Sequence, residues 1–450
     1  MSSAVQTIHH GGLLCPWWVV SLSVGLALSI GCRRPEPEEP PPKPLVETLG
    51  ELPGIRHSPD LRLREELARI IEEQGTPEQL MRALPPPEEN VAAVFDDLFP
   101  TFRLPAIWAQ TEELLPGSDF RFPTGSADEA HRLITRYADQ RKAVRDALDR
   151  PQCVFPIRYT AGYGDDLVFL DAASIAARLE LFAAVEALAA DQPAEAFDCL
   201  SVVLQIAACL SQPPHPITRV RAAILRAEAL LGMQALFAHP KADPALAERL
   251  YRRLLTDVRN WPSDASAWIG ERALGLHAFE VVRQGRLFDL LTDAEVRHFA
   301  ELGTLEDVPR LAMERADADE WFYLQAMRKV IDSAELPYAR RSEVIRSIEE
   351  ALNAKRDTPE YPLVSGFLLL PPLREEVRLQ CRDRALCEGW LLALERALGH
   401  ADGAKRTNPM TGQPFLLERP PGWISVQLID PDHEAVLKIE VPDYVGRKNE

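Results

Sequence analysis

Two long apolar-periodic segments joined by three residues constrain this chain more than any other feature. Residues 167–190 carry Leu170, Ile175, Leu179, Phe182, Val185 and Leu188 at helical spacing. Asp191-Gln192-Pro193 makes the turn, with proline near the first position of the next helix, where its missing N–H is tolerated. Residues 194–211 carry Phe197, Leu200, Val203, Leu204 and Ala207 and stop before Pro213-Pro214. The pair is an antiparallel helix hairpin. Further helices are predicted at 128–149, 217–237, 244–258, 264–283, 293–302, 317–334, 341–355 and 373–398, with short links that carry Pro, Gly or Asp. Residues 126–400 therefore form a helical-stack domain, and the fold class is mainly α: an irregular helical bundle or a stack of helix hairpins.

The two ends differ from this middle. Residues 53–125 are punctuated by proline. Short helices are expected at 61–74, 77–83 and 89–98, and 99–123, with Phe102, Trp108, Phe120 and Phe122 among four prolines, is expected as a wrapping loop with aromatic anchors. Residues 401–450 form a small appendix with strands at 415–418, 423–428 and 435–441. Ile424, Val426 and Leu428 alternate with Ser425 and Gln427, the period-2 pattern of a half-buried strand. A three-stranded antiparallel meander needs a surface to pack on. The preceding helix offers Leu386, Trp390, Leu394 and Ala397.

The N-terminus sets the expected compartment. Residues 1–32 contain no Lys, Arg, Asp or Glu, and an uncharged 21-residue stretch runs from Gly11 to Gly31. It ends in Leu28-Ser29-Ile30-Gly31-Cys32, which resembles the lipobox of bacterial lipoproteins. That resemblance implies a signal peptide over 1–31 and lipidation at Cys32, where two or more acyl chains anchor stably. Against it, the leader lacks Lys or Arg before its apolar run, and Arg33-Arg34 follow directly. An uncleaved single span is the alternative, since the run is long enough to cross a bilayer. Pro35-Glu36-Pro37-Glu38-Glu39-Pro40 and the prolines after it favour extended polyproline II. Residues 32–52 are accordingly a lipidated Cys and a Pro/Glu-rich tether that holds the folded part off the membrane.

Composition narrows the partners. The chain has 450 residues and a formal net charge of −18, which argues against nucleic acid as a partner, because that would need a basic face. Of seven cysteines, Cys15 would leave with the leader and Cys32 would be acylated. Cys199 and Cys209, and likewise Cys381 and Cys387, lie too far apart along single helices to bridge. Most of the remaining five are expected as small buried filler.

Several segments resemble an uncharacterised family of exported bacterial helical proteins: the hairpin through Asp191-Gln192-Pro193-Ala194-Glu195-Ala196, Gly270-Glu271-Arg272-Ala273, Leu291-Thr292-Asp293-Ala294-Glu295, the Pro371-Pro372-Leu373 helix, and Asn408-Pro409-Met410-Thr411-Gly412-Gln413-Pro414-Phe415. The last is similar to a C-terminal loop and β segment of type II secretion pseudopilins, with Asn408 where an Asp is usual. Ala196 and the Asp-x-Pro turn also resemble one tetratricopeptide (TPR-like) unit. The resemblance implies export and a helical fold, and no activity.

Four patterns could carry chemistry, each with a structural alternative. Gly162-Tyr163-Gly164-Asp165-Asp166 could be an acidic catalytic loop, or a turn whose Asp165 or Asp166 caps the following helix. Asp317-x-Asp319-Glu320 begins like a calcium loop but lacks its later positions, and acidic residues suit a first helical turn. Glu271 could be a general acid or could pair with an arginine of a neighbouring helix. His277 and Glu280 are one metal-like pair with no HExxH around them. No Walker loop, GxGxxG or GxSxG is present, so no cofactor is expected. The expected function is a membrane-tethered cell-envelope lipoprotein facing the periplasmic side, acting on an envelope protein partner as a non-catalytic interaction or scaffold module. The alternatives are an extracytoplasmic enzyme that uses paired carboxylates and a component of a pilus or secretion-like assembly.

Overall fold

The structure, a computed structural model, describes residues 60–445 apart from 166, 292–295, 298–306, 357, 401–405 and 433–434. The leader, Cys32, the tether, Asp166 and nearly all of the expected helix at 293–302 lie outside the described residues. The fold is mainly helical with a small C-terminal three-stranded antiparallel sheet. The longer helices are α1 (Leu61–Gln74), α2 (Leu104–Glu113), α3 (Ala127–Arg136), α4 (Ala138–Ala147), α5 (Val168–Ala189) and α6 (Pro193–Leu210). After them come α7 (Pro216–Phe237), α8 (Pro244–Arg259), α9 (Asp264–Arg283), α10 (Asp307–Asp332), α11 (Tyr338–Lys355) and α12 (Leu373–Leu398).

Local chemistry fixes the helix ends. The Asp60 carboxylate accepts from the N–H groups of Arg62 and Leu63, and Gly75 ends α1 at φ 76°. Proline occupies the first turn of α6, α7 and α8, where no helical partner for its N–H is lost. Asp243 accepts from Leu246 N–H at 3.0 Å and Ser263 from Ala265 N–H at 3.2 Å. Gly399 closes α12 in the left-handed conformation.

The hairpin α5–α6 is the centre of the molecule. α6 packs between α5 and α7, and α5 also touches α7, α2 and α3. α6 is apolar and long enough to cross a membrane, but Phe197, Leu200, Val203, Leu204 and Ile206 are buried in this core. α8 lies on α12, α11 on α12 and α10, and α9 on α10. The described part of the Pro-rich N-terminal segment packs on this body. α1 lies on α10, and the turn Ala93–Asp96 and α2 lie on α5.

Three expectations are corrected. Residues 99–123 are not wholly loop: α2 runs through them, with Pro105 in its first turn, where proline starts a helix as readily as it breaks one. Residues 128–149 form two helices, because Tyr137 leaves helical geometry (φ −106°, ψ 26°) and sets its ring edge-on to Phe99 at 5.4 Å. α10 is already helical at Asp307, so Asp317 and Glu320 stand inside a helix and not in its first turn.

The sheet is the expected meander, β1 (Leu416–Glu418), β2 (Trp423–Asp430) and β3 (Ala435–Pro442) in sequence order, all antiparallel. Ile424, Val426 and Leu428 are buried, and the sheet packs on α12, where Gly389 lets Ile439 approach closely. Ser425 departs from the pattern: it too is buried. The loop before β1 also serves α11, whose first N–H groups, Tyr338 and Ala339, donate to the carbonyls of Pro409 and Met410. Asn408 is buried and its side chain accepts from Met410 N–H at 2.9 Å, a turn-forming role.

Candidate functional site

α9 brings together the patterns that the sequence scatters over more than a hundred residues. Its glycines make this possible. A Cβ at Gly270 would lie 1.6 Å from the carbonyl oxygen of Pro214, and one at Gly275 would lie 2.3 Å from the hydroxyl of Tyr323. Gly162, at φ 60°, lets the 159–164 turn close onto His277.

The seam centres on Glu271. Its Oε1 accepts a 2.5 Å hydrogen bond from the Tyr163 hydroxyl, and its backbone carbonyl accepts one from the Tyr323 hydroxyl at 3.1 Å. Glu271 and Glu376 are both half-buried. Burial pushes the Glu271 carboxyl up to about 7, against the opposing pull of the Tyr163 bond. Glu376, in the first turn of α12, is raised well above the usual carboxylate range by burial and then by repulsion from Glu271. The two carboxyls are therefore neighbours that resist carrying two charges together. Tyr163 leaves 42% of its surface in solvent, so the seam meets the outside at this residue.

Among the described residues the expected arginine pairing of Glu271 does not form: its side-chain partner is a phenol. Arg272 turns the other way, to Gln74 of α1, and its Nη1 is buried without a partner. Asp165 does not cap α5. It accepts from the backbone N–H of Arg158 at 2.8 Å and from its guanidinium at 2.9 Å, closing the 158–165 loop on itself. The acidic run on α10 is absorbed by packing. Asp317 and Glu320 both take Arg283 of α9, while Asp319 accepts from the N–H groups of Val364 and Ser365 at 2.7 and 3.1 Å and from the Ser365 hydroxyl. Burial still holds Asp319 up to about 6.

His277 and Glu280 lie further along α9. Burial lowers the His277 pKa and pushes Glu280 up to about 7, with Glu320 and Glu78 adding repulsion. Among the described residues no group of three or more His, Cys, Asp or Glu side chains could hold a metal ion. A separate half-buried residue, Glu228 of α7, also has its carboxyl pushed up to about 7 by burial, although Arg178 and Arg221 counter it. Those two guanidiniums stack on the Trp108 ring at 3.9 and 4.5 Å.

Chemically, Glu271 keeps its proton up to about neutral pH and Glu376 keeps its own well beyond the usual carboxylate range, the property that acid–base catalysis requires. Neither of two cavities in the molecule, of 280 and 20 Å³, is lined by them. Sequence reasoning reached Tyr163 only as part of its loop, with the weight on the aspartates beside it. It missed Tyr323 and Glu376 altogether: an acidic residue in a first helical turn looks like ordinary dipole compensation. Comparison with protein-family models, with curated proteins and with solved structures finds no match to this chain.

Proposed function

We propose that the protein is a cell-envelope lipoprotein, moored by an acylated Cys32 and carrying its helical body at the end of a proline tether, and that the body is a non-catalytic interaction module for an envelope protein. The observation that carries this reading is the order of segments: an uncharged apolar run, a cysteine after small residues, a Pro/Glu spacer, and then a capped helix starting at Leu61. The family of exported helical proteins suggested by the sequence fits the same reading. Cys32→Ser should abolish incorporation of a fatty-acid analogue and release the protein from membranes. Continued labelling of the variant rejects lipidation at this site.

A second reading, an extracytoplasmic enzyme, is favoured by one observation, the Glu271–Glu376 pair with Tyr163 at its edge. If envelope polysaccharide or peptide is turned over, Glu376→Gln should remove that turnover without lowering the melting temperature. Equal turnover by the variant rejects this reading.

A further inference from the structure

Two of the cysteines that look like filler in the sequence are a pair in the fold. Cys153 lies on the extended stretch after α4, and Cys209 is the penultimate residue of α6. Both line the 280 Å³ cavity and neither is fully buried, whereas Cys199, Cys381 and Cys387 are. Both backbones are held. Asn90 clamps the stretch through Val154, its Nδ2 donating to the Val154 carbonyl and its Oδ1 accepting the Val154 N–H, each at 2.8 Å. Gln152 is tied to Val91 and Glu89 by backbone bonds of 2.8 and 3.1 Å. Cys209 is fixed by the helix.

We propose that Cys153 and Cys209 are a disulfide-forming pair that staples the stretch after α4 to the central hairpin. Its closure in the cell rests on the envelope reading above, since an oxidising compartment supplies the oxidant. The two side chains face the same cavity, and each thiol perturbs the proton affinity of the other. Arg253, which lines the same cavity, favours the thiolate on Cys209, while burial and Asp257 oppose it. The sequence of attack therefore runs with Cys209 first.

The oxidant is a disulfide, either of a small thiol or of a dithiol oxidase. The Cys209 thiolate attacks one of its sulfurs, forming a mixed disulfide and expelling the first thiolate. Cys153 then loses its proton to solvent and attacks the Cys209 sulfur, expelling the second. Two protein thiols are oxidised, one external disulfide is reduced to two thiols, and one S–S bond replaces another.

The test uses the full-length chain with oxidised glutathione as the probe. After incubation, free thiols are alkylated in denaturant without reduction and the digest is mapped by mass spectrometry. The expected result is one cross-linked species joining the Cys153 and Cys209 peptides, loss of both from the alkylated pool, and a melting temperature that falls by several degrees when reductant is added. Cys209→Ser should give no cross-link and should leave Cys153 alkylated or carrying one glutathione. The proposal is overturned if both peptides are recovered alkylated, if each carries its own glutathione, or if either is joined to a different cysteine. The same mapping on protein taken directly from cells separates the two claims. A bridge that forms in vitro but is open in cells keeps the pair and removes the envelope reading; failure to bridge in vitro removes the pair alone.

Discussion

Neutralising Glu271 with Glu271→Gln should change stability in a way that depends on pH with a definite sign. The ordinary carboxyl value of 4.5 rises to about 7 in the folded protein. The folded chain therefore holds this proton roughly 300-fold more tightly than the unfolded chain, a difference of about 3 kcal/mol. For a carboxyl raised by folding, the favourable contribution is fully present below 4.5 and is lost as pH rises through about 7, because the folded state must then bury a charge that the unfolded state leaves in water. Glutamine keeps the shape, and its carbonyl can still accept from Tyr163, but it never ionises. It also removes the repulsion that helps raise Glu376, which adds in the same direction. Near pH 5 the variant and the parent should melt within a degree or so of each other. At pH 8 the variant should be the more stable by up to about 3 kcal/mol, which for an unfolding entropy of about 2 cal/mol/K per residue is a rise of roughly 4 °C. Thermal melts of both proteins in buffers from pH 5 to pH 8 measure this. A gap that stays constant across the range, or a variant that melts lower at pH 8, refutes burial of an ionisable Glu271 as the origin of the effect.

Other sites give separate checks. Glu180, buried in α5, accepts from Arg141 at 3.1 and 3.0 Å and from Arg145 at 3.0 Å, tying α4 to the hairpin. Glu180→Ala leaves two guanidiniums without their acceptor and should cost about 3 kcal/mol or more, read as a lower melting temperature. Because these arginines hold the Glu180 carboxyl below its ordinary 4.5, the parent should also lose this contribution as pH falls below about 4.5, and the variant should not. Deleting residues 408–450 should uncover the Trp390 face of α12, remove the carbonyls that cap α11 and lower the melting temperature; an unchanged melt would mean that the β segment does not brace the bundle.

What the sequence makes legible follows the range of the forces involved. α1 and α12 are read to the residue, because Asp60 and Gly75, or Pro372 and Gly399, act within a turn of the helix that they bound. The hairpin is legible for the same reason. α2 is hidden because proline has two opposite local meanings, and only packing on α5 selects the one that starts a helix. The break at Tyr137 is hidden because no Gly or Pro marks it; a tertiary contact with Phe99 accompanies it. The seam is harder still. Glu271, Gly162-Tyr163, His277 and the α10 acids each attract notice on chemical grounds, yet what each one does is settled by a neighbour far along the chain: Tyr163 for Glu271, Arg158 for Asp165, Arg283 for Asp317 and Glu320. The same holds for sulfur. Spacing along one helix correctly forbids a bridge between Cys199 and Cys209, but it says nothing of Cys153, which shares a cavity with Cys209 in a fold where Asn90 and Gln152 hold the stretch after α4. A residue's type can thus be read for what it is able to do; whether it does so depends on the one long-range partner that the fold supplies.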